Sequence, residues 1–268
     1  MDAAIGIGLA FGAIFIAAIL DGTSPASLFN ISAMLLVFGG TIGVTIASYG
    51  LKGFLLMPKL LILAMKPRKS DPVALRAQMV GFAEKARREG LLALEQEVEK
   101  VEDDFVKRGL QMVIDGLEPD TVEEILQLEV EAQEARHQKG VQMLASMGGY
   151  APTMGIIGTV MGLVGVLGKL SEPGSLGESI AVAFIATLWG VMSANVLWLP
   201  LSGNLKLKSQ GETEERQMAI VAILALQAGD NPRIVAQKLE SFEPPKLRGM
   251  EAKEGKSKGE KAPAEEAA

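Results

Sequence analysis

Four stretches of this chain, residues 3–20, 28–51, 140–168 and 180–205, contain no Asp, Glu, Lys or Arg. Each is long enough to cross a bilayer, which takes about 20 apolar residues at roughly 1.5 Å of rise apiece. A soluble chain of 268 residues with 49% hydrophobic content would scatter its apolar residues among many amphipathic segments. Here they are bunched, so the expected fold class is an all-α polytopic membrane protein with four transmembrane helices. Residues 1–4 carry no basic side chain, and no small-residue cleavage motif stands ahead of Asp21. The first stretch therefore reads as a retained helix rather than a secretory leader.

The distribution of charge orients the spans. Of 26 basic residues, only Lys169 lies outside residues 52–139, 206–238 and the tail from Lys246. By the positive-inside rule these regions are cytoplasmic. The connections 21–27 and 171–179 lack Lys and Arg, contain Pro, Gly and Ser, and suit outward turns. Four crossings then place both termini in the cytoplasm. The expected organisation is transmembrane helices one and two in 1–51, a helical cytoplasmic domain in 52–146, transmembrane helices three and four in 147–205, cytoplasmic helices in 206–243, and a disordered tail in 244–268.

Within the cytoplasmic segments, Pro58, Pro67 and Pro72 break the chain after helix two, and Gly90, Gly109 and Gly116 mark further boundaries. Leu91, Leu94, Val98 and Val101 recur at helical spacing against Glu95, Glu99 and Glu102, which predicts an amphipathic helix. Asp120-Thr121, with Glu123 and Glu124 following, reads as a helix start with a capping box. From there the helical pattern runs unbroken into the third span.

Several function classes drop out. There is no Cys, hence no disulfide, thiol nucleophile or thiolate metal site. His137 stands alone in the charged run 131–139 and reads as a solvated helix-face residue, so no metal site is expected. The net charge of -6 comes from mixed acids and bases without a basic, aromatic-interleaved stripe, which argues against nucleic acid. No paired carboxylates, nucleophile elbow or P-loop is present, so an enzyme is not expected.

Helices three and four also lack any ionisable residue in their interiors, where proton-moving proteins place a carboxylate or histidine. They offer Thr159 and Thr187 instead, with Ser193 and Asn195 further along; such side chains either line a path or bond their own helix carbonyls. Gly155, Gly158, Gly162 and Gly165 lay a stripe without side chains along helix three, and Gly39, Gly43 and Ala47 do so on helix two. The stripes fit packing within one subunit or between subunits. Pro152 and Pro200 are candidate hinges or simple punctuation.

The run Ala151-Pro152-Thr153-Met154-Gly155-Ile156-Ile157-Gly158-Thr159-Val160-Met161-Gly162-Leu163-Val164 resembles the third membrane helix of the MotA/PomA/MotP flagellar stator family. Ala183-Phe184-Ile185-Ala186-Thr187-Leu188-Trp189-Gly190, continuing to Leu199-Pro200-Leu201, resembles its fourth. Gly90-Leu91-Leu92-Ala93-Leu94-Glu95, preceded by Arg87, is similar to the family's loop signature. The likeness runs to Phe242. It implies a bacterial inner-membrane subunit of which five copies encircle a dimer of a MotB-type, single-span, peptidoglycan-anchored partner. That partner's membrane aspartate supplies the missing carboxylate, and ion flow turns the ring against the rotor protein FliG. Carried onto this chain, Thr159 and Thr187 belong to the ion pathway, and Pro152 and Pro200 couple ion movement to motion. Arg87 and Glu95 engage the rotor, Arg88 leaving the choice of arginine open, and Glu129 serves assembly at the motor. The translocated ion is H+ or Na+, and Ala186 ahead of Thr187 points to protons. An ExbB/TolQ-like energy transducer is the rival, usually with three crossings and a different loop order.

Reporter fusions distinguish these topologies. Alkaline phosphatase joined after Ser24 or Ser175 should be active, and joined after Lys139 or at Ala268 inactive; a three-span layout would put the two termini on opposite sides.

Overall fold

In a computed structural model the described residues are 2–67, 71–168, 171 and 173–242, and the tail 244–268 lies outside them, as does Lys169. The elements are α1 (Asp2–Leu20), a 3-10 turn (Pro25–Leu28), α2 (Ile31–Met34), a π turn (Leu35–Gly39), α3 (Gly40–Phe54), α4 (Met57–Met65) and α5 (Pro72–Glu89). There follow a 3-10 turn (Leu91–Leu94), α6 (Glu95–Val98), α7 (Asp104–Ile114), α8 (Pro119–Leu167), α9 (Pro173–Met192), a π turn (Ser193–Trp198), α10 (Leu199–Gln227) and α11 (Pro232–Glu240). No strand occurs among the described residues. Four helical runs, Ala3–Leu20, Ile31–Phe54, Pro119–Leu167 and Leu176–Gln227, are long and apolar enough to cross a membrane.

Local chemistry sets four of the helix starts. Asn30, Asp71, Asp103 and Asn231 each accept a backbone N–H of the following turn, at the heads of α2, α5, α7 and α11. Pro72 and Pro232 occupy the first helical position, where a missing N–H costs nothing.

The chain divides into two compact units, Met1–Lys69 with Gln133–Gln210, and Ser70–Ala132 with Gly211–Ala268. The first is apolar outside. Nearly all of the large exposed apolar side chains belong to it, from Ile5 and Leu9 on α1 to Val164 and Leu167 on α8. A water-facing unit would not tolerate such a surface, whereas lipid does. Most of its buried hydroxyls satisfy themselves, as lipid demands, whereas Trp198 Nε1 and Asn204 Oδ1 are buried without a partner. Thr41 donates to Val37 O at 2.6 Å, Thr45 to Thr41 O at 2.7 Å, and Ser202 to Val141 O at 2.8 Å. The Trp189 indole N–H donates to Leu28 O at 2.7 Å while its ring meets Phe29 and Phe38.

The second unit has an ordinary apolar core. Met79, Leu94, Phe105, Leu110, Leu126, Met218, Ile223, Val235 and Leu239 are buried together. The Arg76 guanidinium is buried among them and reaches Glu240 on α11 at 3.4 Å.

The structure departs from the sequence reading at five places. Residues 173–179 form the first turns of α9 rather than a loop, Pro173 being acceptable at a helix head. The run 91–101 buries Leu94, Val98 and Val101 as expected, yet it is a 3-10 turn and one turn of α-helix, because Gly90 with φ 86° redirects the chain at its head. Gly109 is inside α7, and a Cβ built on it would lie 2.5 Å from Ile223 Cδ1, so it is a close-approach position and no boundary. Helix α8 starts at Pro119, which leaves Asp120 in the first turn, favoured there by the helix dipole, instead of at the cap. His137 is half-buried, its Nδ1 3.2 Å from Ser209 Oγ, and is not a freely solvated residue.

Asp103 gives this unit an acid-sensitive joint. Burial pushes its carboxyl pKa up, but the Val106 amide, the Arg216 guanidinium and the Phe105 amide together hold it below the usual carboxylate value. A depressed pKa stabilises the fold above the unfolded value of about 4 and loses that contribution as pH falls below it. Asp103→Ala should cost about 1 kcal/mol at neutral pH through the lost cap. In thermal melts the gap to wild type should narrow below pH ~4.

Candidate functional site

Helices α8 and α9 approach until backbone touches backbone. A Cβ on Gly155 would lie 2.9 Å from Ala186 O, on Gly158 2.6 Å from Ala186 Cβ, and on Gly162 2.6 Å from Ala183 Cβ. The converse holds at Gly190, where a Cβ would be 2.8 Å from Ala151 O. Three of the four stripe glycines thus pack inside one subunit, the fourth, Gly165, facing open space. Ala183, Ala186 and Gly190 are the complementary small residues, spaced three and four apart and readable in hindsight. On helix two the stripe works differently: Gly39 and Gly43 meet no other helix, and the close contact falls at Gly40 against Met154.

This contact brings the two threonines together. Thr159 Oγ1 and Thr187 Oγ1 are hydrogen-bonded to each other; Thr159 is also 3.2 Å from Gly155 O and from Ala183 O, and Thr187 is 3.4 Å from Gly155 O. Each hydroxyl has one proton and two lone pairs. Both protons are taken by protein oxygens, so what the pair presents outward is acceptor capacity. Both residues are only half-buried, and their exposed neighbours, Ile156, Val160, Phe184 and Val191, are apolar. The arrangement is an isolated pair of oxygen acceptors on an apolar face, suited to a cation or to the O–H of an incoming acid.

Ser193 and Asn195 do not join this pair. Ser193 is buried and donates to Gly190 O at 3.2 Å, and Asn195 donates to Val191 O at 2.9 Å. Pro152 is inside α8, and Pro200 is the second residue of α10, directly after the π turn, where Leu199 N–H reaches back to Ala194 O. The residue ahead of each proline packs on a glycine of another helix: a Cβ on Gly148 would lie 2.6 Å from Leu199 Cδ2, and one on Gly190 2.8 Å from Ala151 O. No sequence signal marked the π turn beyond Pro200 itself.

Arg87 lies in the last turn of α5 and Glu95 starts α6, both exposed, on either side of the turn at Gly90. Arg87 also borders a small pocket with Ala83, Leu91, Leu226, Gln227 and Asp230. Glu129 pairs with Arg108, a partner that spacing gave no means of finding. Among the described residues no cluster of His, Asp or Glu could hold a metal ion.

Residues 97–218 match the model of the MotA/TolQ/ExbB proton channel family. The chain is 38% identical to Motility protein A of Bacillus subtilis over 98% of both chains. It is 32% identical to chemotaxis protein PomA of Vibrio alginolyticus, over 90% of this chain and 95% of that one. Among solved structures, it superposes on C. jejuni MotAB with a TM-score of 0.88 at 29% identity. On the flagellar MotAB stator complex of Bacillus subtilis the TM-score is 0.86 at 38% identity. In both cases 92% of this chain and 97% of the other are covered.

The helix contact can be tested by contrast. Gly155→Val meets backbone that cannot yield and should cost about 1–3 kcal/mol, read as a lower melting temperature in detergent. Gly165→Val, with nothing within 4 Å of its Cβ, should melt like wild type.

Proposed function

The chain belongs to the Motility protein A family, and on that footing we propose that it is a flagellar motor stator subunit, coupling ion flow through the inner membrane to torque on the rotor. It is a membrane component of the motor and no enzyme. The observation that carries the mechanism is the Thr159–Thr187 pair, set in two spans without an ionisable side chain. A MotB-type partner, single-span and anchored to peptidoglycan, brings the carboxylate; five copies of this chain surround a dimer of it. The partner's acid is costly to keep charged in lipid. Neutralised and released at successive subunits beside the threonine hydroxyls, it is driven by about 2.3 kcal/mol per 100 mV for each charge.

Motion then has a physical site. Pro152 and Pro200 each remove a backbone hydrogen bond, and the wide π turn before Pro200 is already a register irregularity that a helix can shift. The second unit and both termini are cytoplasmic in this reading. Arg87 and Glu95 are its exposed contacts to FliG, and Glu129 acts at motor assembly through its pair with Arg108. Protons are the coupling ion, supported by Ala186 ahead of Thr187. Four apolar runs, together with near full-length motility relatives, favour this over an ExbB/TolQ-like transducer.

Co-expressed with its partner in a host lacking stators, the chain should restore swimming that persists without sodium and stops with a protonophore. Thr159→Val/Thr187→Val keeps shape but removes both hydroxyls, and ion flux should fall about ten-fold, the worth of one lost hydrogen bond in a rate. Absence of any ion-dependent swimming by the unaltered pair would overturn the reading.

A further inference from the structure

Gly50, with φ 72° and ψ 158°, ends the helical course of the second span, and α4 begins within a few residues of it. Between residues 51 and 69 the chain carries Lys52, Lys59, Lys66, Arg68 and Lys69, and no Asp or Glu. One face of α4 is accounted for. Met57, Leu60, Leu61 and Ala64, at helical spacing, pack on the core of Val141, Leu144 and Trp198.

A helix beside water would be polar throughout its other face, whereas here, and in the turn before it, large apolar side chains are exposed among lysines. Leu55, Leu56, Ile62, Leu63 and Met65 are 67%, 57%, 56%, 46% and 46% exposed. Lys52, Lys59 and Lys66 are exposed with them. Lys59 and Lys66 are seven residues apart, two turns, and so share a face opposite the packed one. Apolar surface flanked by ammonium groups on flexible stems is the pattern of a helix lying in the bilayer interface. Another apolar helix would cover the leucines but leave the lysines unanswered. Phosphate headgroups above acyl chains answer both.

The far end of α4 is prepared for this. Lys208 Nζ donates to Leu63 O and Ala64 O, each at 2.7 Å, and to Lys66 O. These are carbonyls that the last helical turn leaves without partners, at the negative end of the helix dipole. An ammonium bound there removes the local negative charge that would repel a phosphate, and it fixes the helix at the surface.

We propose that residues 51–66 form an interfacial belt that binds anionic phospholipid through Lys52, Lys59 and Lys66. The proposal rests on the membrane placement of the stator reading but not on its ion pathway, and its readout is lipid, not motility. Each lysine near an anionic surface is worth about five-fold in lipid preference.

The test reconstitutes the complex with its MotB-type partner in bilayers of equimolar phosphatidylcholine and phosphatidylglycerol, and counts retained lipids by native mass spectrometry. Wild type should retain phosphatidylglycerol preferentially. K52Q/K59Q/K66Q should lose about five-fold or more of that preference. The charge-keeping K52R/K59R/K66R, and the charge-matched K253Q/K256Q/K258Q in the tail, should keep it. If the glutamine variant fails to assemble, wild type decides through its melting temperature, which should be higher in phosphatidylglycerol than in phosphatidylcholine bilayers. Equal retention of both lipids by wild type, or an unchanged preference in the glutamine variant, would overturn the proposal. Loss of the oligomer without change in lipid would assign the face to a second copy and overturn it equally.

Discussion

The contact of α8 with α9 is the interaction on which the rest of the membrane unit depends. In lipid there is no hydrophobic gain from bringing two apolar helices together, so close packing of backbones and the hydrogen bonds it permits must hold them. Gly155, Gly158 and Gly162 on one side, and Ala183, Ala186 and Gly190 on the other, make that approach possible. The threonine pair is its product. Were the helices held apart by even one branched side chain, Thr159 would bond its own carbonyl alone and the shared acceptor site would not exist.

Around this contact the unit distributes polarity in the manner lipid demands. Apolar side chains dominate the outer surface, and hydroxyls, buried or exposed, bond to nearby protein oxygens. Tyr49 meets Ser146 at 2.7 Å and Ser48 meets Tyr150 at 3.1 Å, tying α3 to α8 close to Pro152. The irregularity next to Pro200 lies where neighbours pack closely: Ser193, Ala194 and Trp198 of the π turn are buried. Such a segment can change register without exposing backbone to lipid, which is what a proposed coupling element has to do. The second unit follows the opposite rule. Its apolar residues are inside, and its outer charges pair with one another, as Lys85 and Lys100 do with Glu97, whose carboxyl the Lys85 hydrogen bond foremost holds below its ordinary pKa.

Much of this was legible before any coordinates. Runs of charge-free residues longer than a bilayer is thick have few other homes, and Pro72, Gly90 and Gly116 mark helix ends through backbone restrictions that act within a few positions. The stripe glycines were likewise visible as a spacing. What could not be read is which helix fills a stripe. That choice depends on residues far along the chain, and it went to α9 for Gly155, Gly158 and Gly162 but to none for Gly165. Gly109 misled for the same reason: a glycine looks like a break in sequence, and only Ile223, more than a hundred positions away, shows that it is a gap kept open for packing.

By itself, then, the amino-acid order determined the number of spans, some helix boundaries such as Pro72, Gly90 and Gly116, the family, and the lack of an intramembrane acid, because each of these follows from local composition or from short-range backbone restrictions. The tertiary structure alone decided that Thr159 and Thr187 share a hydrogen bond, that Arg108 holds Glu129, and that Lys208 closes the end of α4. These are meetings between positions separated by many turns of chain. Side-chain hydrogen bonds act over only a few ångströms, so their partners are set by how whole helices pack, and no local rule encodes that.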